Sequence, residues 1–477
     1  MLFNSIPFLF FFTTVVVLFF ILPQKLKNPF LLAASYYFYF CGKAEYVVVL
    51  AALTLLTYFS ALLLARPISR TARKTLFVSA IIFNLCPLAF LKYFNFISSS
   101  LQVLLDNFKI FYSLPILNFA LPVGISFYTF ISIGYLIDVY WKKRDPERNI
   151  VIFGLYVSFF PHILSGPIAR SNQLMPQFRL QHFFTDKNAS DGLKLMLWGF
   201  FMKLVVADNL SPYVDSVYSR VGAYSGSTLL FASYLYSFQI YCDFAGYSNI
   251  AIGAARIMGF DLINNFNRPY FSESIRDFWS RWHISLSTWL RDYIYIPLGG
   301  NRVSRHRLFY NVFIVFLLCG IWHGADWTFV IWGLLHAFFI IISIASSKLR
   351  DGVSKALFIT RFPVIRKYLA IFITFNLANL AWIFFRARSV GDAILVVRNI
   401  FHLSLEPVTF GDDPGLFYGI AGIFVLLVFE IFQKDMPVVD YINARKTTWR
   451  WMFYIFCLFS IILLGALDGG SFIYFQF

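Results

Sequence analysis

The sequence predicts an all-α integral membrane protein, with about 11–12 transmembrane helices plus re-entrant or interfacial helices. Three observations carry this. Of 477 residues, 59% are hydrophobic and 13% charged, with mean hydropathy +0.68, whereas soluble chains usually carry about 45–50% apolar and about 25% charged residues. Runs of about 20 apolar residues recur along the chain, the length that crosses a bilayer as a helix. The basic residues cluster in short segments between those runs. Disorder, collagen and nucleic-acid modules are excluded by the same figures. The net charge of +16, placed in short loops, reads as a topology signal rather than as a nucleic-acid footprint.

Taken in order, candidate spans begin near residues 5, 30, 46, 76, 119, 150, 193, 229, 308, 327, 367, 416 and 451. Those at 30 and 150 are short or interrupted by proline, so the span total is smaller and re-entrant pieces are expected. The first run, Ser5 to Leu22, has no basic residue before it and is followed by Lys25 and Lys27. It reads as a retained span with the N-terminus outside. The basic loops 66–74, 142–148, 302–307, 348–366 and 434–450 are predicted to be cytoplasmic. That places the C-terminal segment 468–477 on the outer face. With no run long enough for a soluble domain and no internal repeat, a single membrane domain over 1–477 is expected. The five cysteines lie mostly in apolar stretches without CxxC spacing, so neither a disulfide frame nor a zinc site is indicated.

One segment resists the bilayer. Residues 272–300 read SESIRDFWSRWHISLSTWLRDYIYIPLGG, with Arg276, Asp277, Arg281, His283, Arg291 and Asp292 among many aromatics. Each charge at a bilayer centre costs on the order of 2.5–3.5 kcal/mol on insertion scales. An amphipathic interfacial helix, or a re-entrant element around a wet cavity, is expected. It serves either as a cytoplasmic girdle or as the wall of a substrate channel.

The next hairpin carries CGIWHGADW at 319–327. At about 1.5 Å per residue, His323 lies roughly 24 Å from Arg307, deep in the membrane. Gly320 and Gly324 flank it and permit a broken or closely approached helix. An ionisable residue at that depth is a functional candidate, the bland alternative being an imidazole satisfied by a backbone carbonyl. Asp326, three residues on, is placed to orient it. His336 reads as core, His162 as part of a loop packed at membrane depth, His306 as solvated, and His182 and His402 as peripheral. No HExxH, paired histidines at i, i+4, GxSxG, GxGxxG or Walker A loop occurs, so metal ligation and those chemistries lack support.

The strings at 239–302 (QIYCDFAGYSNIAIG through PLGGNR), FFPHILSGPIAR at 159–170, IWHGADWTFVIWGLLHA at 321–337 and FIYFQF at 472–477 resemble the membrane-bound O-acyltransferase family. The likeness is to its bacterial branch, which includes alginate O-acetyltransferase, and it is strongest over residues 119–345. Asn249 departs from it, standing where many relatives carry an acid. The resemblance implies helices around a central channel. It also implies transfer of an acyl group, most often acetyl, from a cytoplasmic thioester toward an extracytoplasmic polysaccharide.

By the same resemblance His323 and His283 are the catalytic histidines, and Arg281, Trp282, Asp292 and Asp326 line the donor channel. Acetyl-CoA is the implied donor, with no permanently bound cofactor or metal. Tyr474 in the terminal tail is a candidate acyl carrier, the alternative being a docking tail. A separate periplasmic or surface acetyltransferase with a serine nucleophile is the implied partner, the polysaccharide being reached through it. The implied location is the bacterial cytoplasmic membrane. Alginate, another exopolysaccharide, cellulose, peptidoglycan and a lipopolysaccharide side chain all remain open as acceptors. A multi-span transporter and a non-catalytic scaffold for polysaccharide export are the rival classes.

Overall fold

In the computed structural model, 12 of the 13 apolar starts fall on or just before a helix, and the one at 119 lies outside the described residues. The structure describes residues 1–466 except 111, 118–121, 357–360, 403–405 and 412, and gives only the backbone of 351 and 353. Among the described residues, seven helical stretches are long and apolar enough to cross a membrane: Ala44–Leu64, Arg70–Asn107, Arg305–His323, Trp327–Ala345, Pro363–Arg386, Pro414–Gln433 and Thr447–Leu464. Shorter apolar helices span Ile6–Ile21, Ile125–Tyr140 and Ile150–Ile163. The chain is an all-α, multi-pass membrane protein. The helices pack as two compact units, residues 1–193 with 251–263, and 194–250 with 264–477.

The first unit begins with α1 (Ile6–Ile21), α2 (Gln24–Phe40), α3 (Ala44–Leu64) and α4 (Arg70–Leu88). A π-helical turn, Ala89–Tyr93, joins α4 to α5 (Phe94–Asn107). After these come α6 (Ile125–Tyr140), α7 (Ile150–Ser158), α8 (Phe160–Ile163) and α9 (Ser171–Leu174). Ser5 caps α1 by accepting from the Phe8 amide at 3.3 Å, which satisfies one of the donors a helix start leaves open. α3 packs on α4 and α6, and α2 on α7.

Two histidines here differ from expectation. His162 sits in the short helix α8 and is fully buried. His182 is not peripheral: it is 9% exposed, its ring lies 4.2 Å from that of Phe260, and Nε2 is 2.7 Å from the Gln177 carbonyl.

The remaining helices are α10 (Asp186–Phe200), α11 (Asp208–Ser219), α12 (Gly226–Ile257), α13 (Ile275–Arg281), α14 (Ile284–Leu290), α15 (Arg305–His323), α16 (Trp327–Ala345), α17 (Ser347–Ala356), α18 (Pro363–Arg386), α19 (Val390–Phe401), α20 (Pro414–Gln433), α21 (Val438–Asn443) and α22 (Thr447–Leu464). A π-helical turn, Phe201–Ala207, separates α10 from α11. α10 and α12 contribute residues to both units.

In the second unit α15 and α16 form a tightly packed antiparallel hairpin, and α18 packs on α16. Glycine permits the approach. A Cβ on Gly333 would stand 2.3 Å from the Phe316 carbonyl oxygen and 3.0 Å from the Gly320 Cα. Gly333→Leu is therefore expected to cost about 1–3 kcal/mol through overpacking. The check is thermal unfolding in detergent beside Gly391→Ala, whose new Cβ would meet nothing nearer than 3.7 Å. Equal midpoints for the two variants would count against the close approach.

Candidate active site

The hairpin of α15 and α16 delivers His323. α15 runs unbroken to it, and the chain leaves the helix at Gly324, whose backbone is extended. A Cβ there would press into the Phe329 ring at 2.1 Å, so the tight corner requires glycine. Asp326 lies beyond this break and does not share a helical face with His323. It caps α16, Oδ1 accepting from the Thr328 amide at 2.8 Å. His323 is 3% exposed. Its ring stands 4.7 Å from Trp332, 4.8 Å from Trp322 and 5.3 Å from Phe385. An imidazole in such an aromatic cage is a nitrogen base kept away from water.

His283 is reached from another direction. Instead of one amphipathic helix, residues 275–290 form two short helices, α13 and α14, broken at Trp282 and His283. His283 itself adopts φ 42°, ψ 55°, a left-handed conformation uncommon for a residue with a side chain and often associated with functional sites. Asn265 holds the corner. Its backbone carbonyl accepts from the Ile284 amide at 2.9 Å. Its Oδ1 accepts from the Ser285 amide at 3.2 Å and the Ser285 hydroxyl at 2.9 Å.

A backbone N–H can only donate, so the atom it faces is the amide oxygen. His283 Nδ1, 3.1 Å from that same oxygen, must therefore carry the proton, which leaves Nε2 as the basic nitrogen of a neutral ring. The His283 ring lies 4.7 Å from Phe244 and 6.0 Å from Trp322. The two histidines singled out by sequence thus both lie against the Trp322 ring.

The other predicted positions diverge. Arg281 faces outward and is engaged by Asp277 and by Asp435, both at 2.9 Å. Arg268 donates to Asp435 as well, at 2.8 Å. Hydrogen bonds from Arg268 and Arg281 hold the Asp435 carboxyl below its ordinary range. Trp282 points the opposite way and is fully buried, packed 4.9 Å from Trp382 and 5.0 Å from Phe266. Asp292 pairs with its neighbour Arg291 at 2.8 Å. Arg291 also lines a cleft of about 370 Å³ with Arg276, Trp279, Thr288, Phe316 and Ile344. Tyr474 lies outside the described residues. Asn249 Nδ2 donates to the Met202 sulfur at 3.7 Å.

Two features escape a reading by motif. Asn265 is one of three asparagines within the four residues 264–267, and nothing in their spacing marks the one that anchors His283. Lys203 is buried between Asp208, at 2.7 Å, and Asp243. A lysine inside the apolar run GFFMKLVVAD and an aspartate inside QIYCDFAG are the available signals, since charges at that depth are seldom left unpaired. Among the described residues no group of three or more metal-ligating side chains occurs.

The sequence model of the MBOAT, membrane-bound O-acyltransferase family matches residues 149–383, a range that holds both histidines, Asn265 and the cleft. The chain is 38% identical over 352 residues to a probable alginate O-acetylase AlgI of Pseudomonas aeruginosa, covering 74% of this chain and 65% of that protein. With the protein of the same name in Pseudomonas putida it shares 34% identity over 461 residues, 91% of each chain. A peptidoglycan O-acetyltransferase of Helicobacter pylori is 35% identical over 390 residues, covering 76% and 71%.

Proposed function

Because the chain belongs to the membrane-bound O-acyltransferase family, we propose that it transfers an acetyl group from acetyl-CoA on the cytoplasmic side toward an extracytoplasmic polysaccharide, with His323 as general base. The observation that carries this is His323 itself, a buried imidazole at a glycine corner within the matched region. A neutral alcohol attacks a thioester slowly, and a base that removes its proton as the C–O bond forms typically contributes about 10²–10⁴-fold. The oxyanion then collapses, the C–S bond breaks, and the thiolate of coenzyme A takes the proton from the imidazolium. His283, with Nδ1–H held by Asn265, supplies a second basic nitrogen beside Trp322. The cleft bearing Arg276 and Arg291 suits a donor that carries phosphates.

The names of the relatives support acetyl as the group and a polysaccharide as the acceptor. The proposed location is the bacterial cytoplasmic membrane, and the proposed partner is a separate extracytoplasmic acetyltransferase with a serine nucleophile. The test uses proteoliposomes holding the purified chain, with acetyl-labelled coenzyme A on the face bearing the basic loops. Release of free coenzyme A above that of protein-free vesicles is the expected result. No release, with candidate partners present, would reject the donor.

Tyr474, in FIYFQF, is proposed to relay the acetyl group as a phenyl ester. Tyr474→Phe is then expected to abolish label on the chain and delivery to the partner while leaving donor binding intact. Undiminished delivery would discard the relay.

A further inference from the structure

Near His323 the fold assembles buried N–H groups without an acceptor among the described residues. Trp279 Nε1 donates to His336 Nδ1 at 3.2 Å. That nitrogen is therefore the unprotonated one in a neutral ring, and the proton sits on Nε2. Among the described residues His336 Nε2 has no hydrogen-bond partner, nor do Trp332 Nε1 and Trp282 Nε1, and all three side chains are fully buried.

They form one cluster. The Trp332 ring lies 4.7 Å from His323 and 4.9 Å from His336. Trp382 touches all three donor rings, at 4.9 Å from Trp282, 5.7 Å from Trp332 and 6.4 Å from His336. On the opposite side His336 packs against Trp279 and Phe316, at 5.1 and 6.2 Å, and both of these line the cleft.

Buried donors without acceptors are destabilising, and native folds keep few of them. Three linked through Trp332 and Trp382, with Trp332 against the base and one ring behind the cleft wall, make a cluster that offers protons. We propose that Trp282, Trp332 and His336 bind the carbonyl oxygens of the acyl donor's thioester and amide-bearing arm, which makes His336 a positioning residue for the acyl donor. This inference rests on the acyltransferase reading above. Carbonyl oxygens accept without donating and so fit such a lining, whereas each hydroxyl oxygen of a sugar carries a proton of its own. A ligand oxygen reaching His336 has to displace the Trp279 or Trp332 ring, so indole movement accompanies binding.

The experiment contrasts two substitutions of one residue. His336→Phe keeps an aromatic ring and removes the N–H. His336→Gln gives up the ring and restores an N–H donor. Acetyl-CoA affinity is measured on the detergent-solubilised full chain by equilibrium dialysis, and KM and kcat by coenzyme A release. The expected result is affinity weakened about tenfold and KM raised in parallel for His336→Phe, with kcat little changed and both values substantially rescued by His336→Gln. A packing role predicts the reverse order, with phenylalanine tolerated and glutamine damaging, and that order overturns the proposal. Equal impairment in both variants overturns it as well. Parent protein that does not bind acetyl-CoA removes the donor reading and this inference together, whereas binding indifferent to His336→Phe removes this inference alone.

Discussion

His323→Ala is expected to retain the fold and lose turnover by about 10²–10⁴-fold, the usual contribution of a positioned general base. The imidazole touches three aromatic rings, so truncation also leaves a void, and voids in packed cores carry their own cost. His323→Gln separates the two effects. The amide approximates the polar edge of the imidazole and fills much of its volume, but it cannot take up a proton at neutral pH. Loss of coenzyme A release in both variants, with size-exclusion profiles and unfolding midpoints near the parent's, is the result that assigns the base. Turnover retained in a well-folded His323→Gln protein would move the chemistry elsewhere, and His283 would be the next residue to test.

Lys203→Met is expected to be the most destabilising single change outside the aromatic cluster. The ammonium lies between two carboxylates and is 2% exposed. Its removal takes the cation away from Asp208 and Asp243 in the core. Breaking a buried ion pair by deleting one partner typically costs about 3–5 kcal/mol, because the uncompensated charge stays behind. The check is the unfolding midpoint in detergent, beside a triple variant that also carries Asp208→Asn and Asp243→Asn. Neutralising the two carboxylates should recover much of the loss. A single variant as stable as the parent would mean that the triad is not ionised as drawn.

Much of the architecture was legible from composition. The seven long apolar helices and the three shorter ones follow from runs whose apolarity is a local property. The burial of His323 was legible for a related reason, since an imidazole far along an apolar run from the nearest arginine is costly wherever the helix packs. The helix break at Gly324 was partly legible from its two glycines, but which of them ends the helix was not. Gly320 lies inside α15 and serves close approach to α16. The break falls after His323, and Asp326 beyond it caps α16.

Sequence alone determined that this chain spans a membrane as helices, that residues 272–300 and 319–327 hold chemistry foreign to a bilayer, and that two histidines among seven stand out. Those conclusions rest on transfer energies and spacing, which the chain carries residue by residue. Tertiary structure alone decided which side chains meet. Asn265 fixes the tautomer of His283 from 18 positions away, and Lys203 joins Asp243 across 40. Adjacent in sequence, Arg281 and Trp282 part toward the surface and the core. His336, which reads as ordinary core, stands beside the same indole as His323. Such pairings depend on the rotation and register of helices packed against one another, and that geometry is set jointly by all the packed faces rather than by any local pattern.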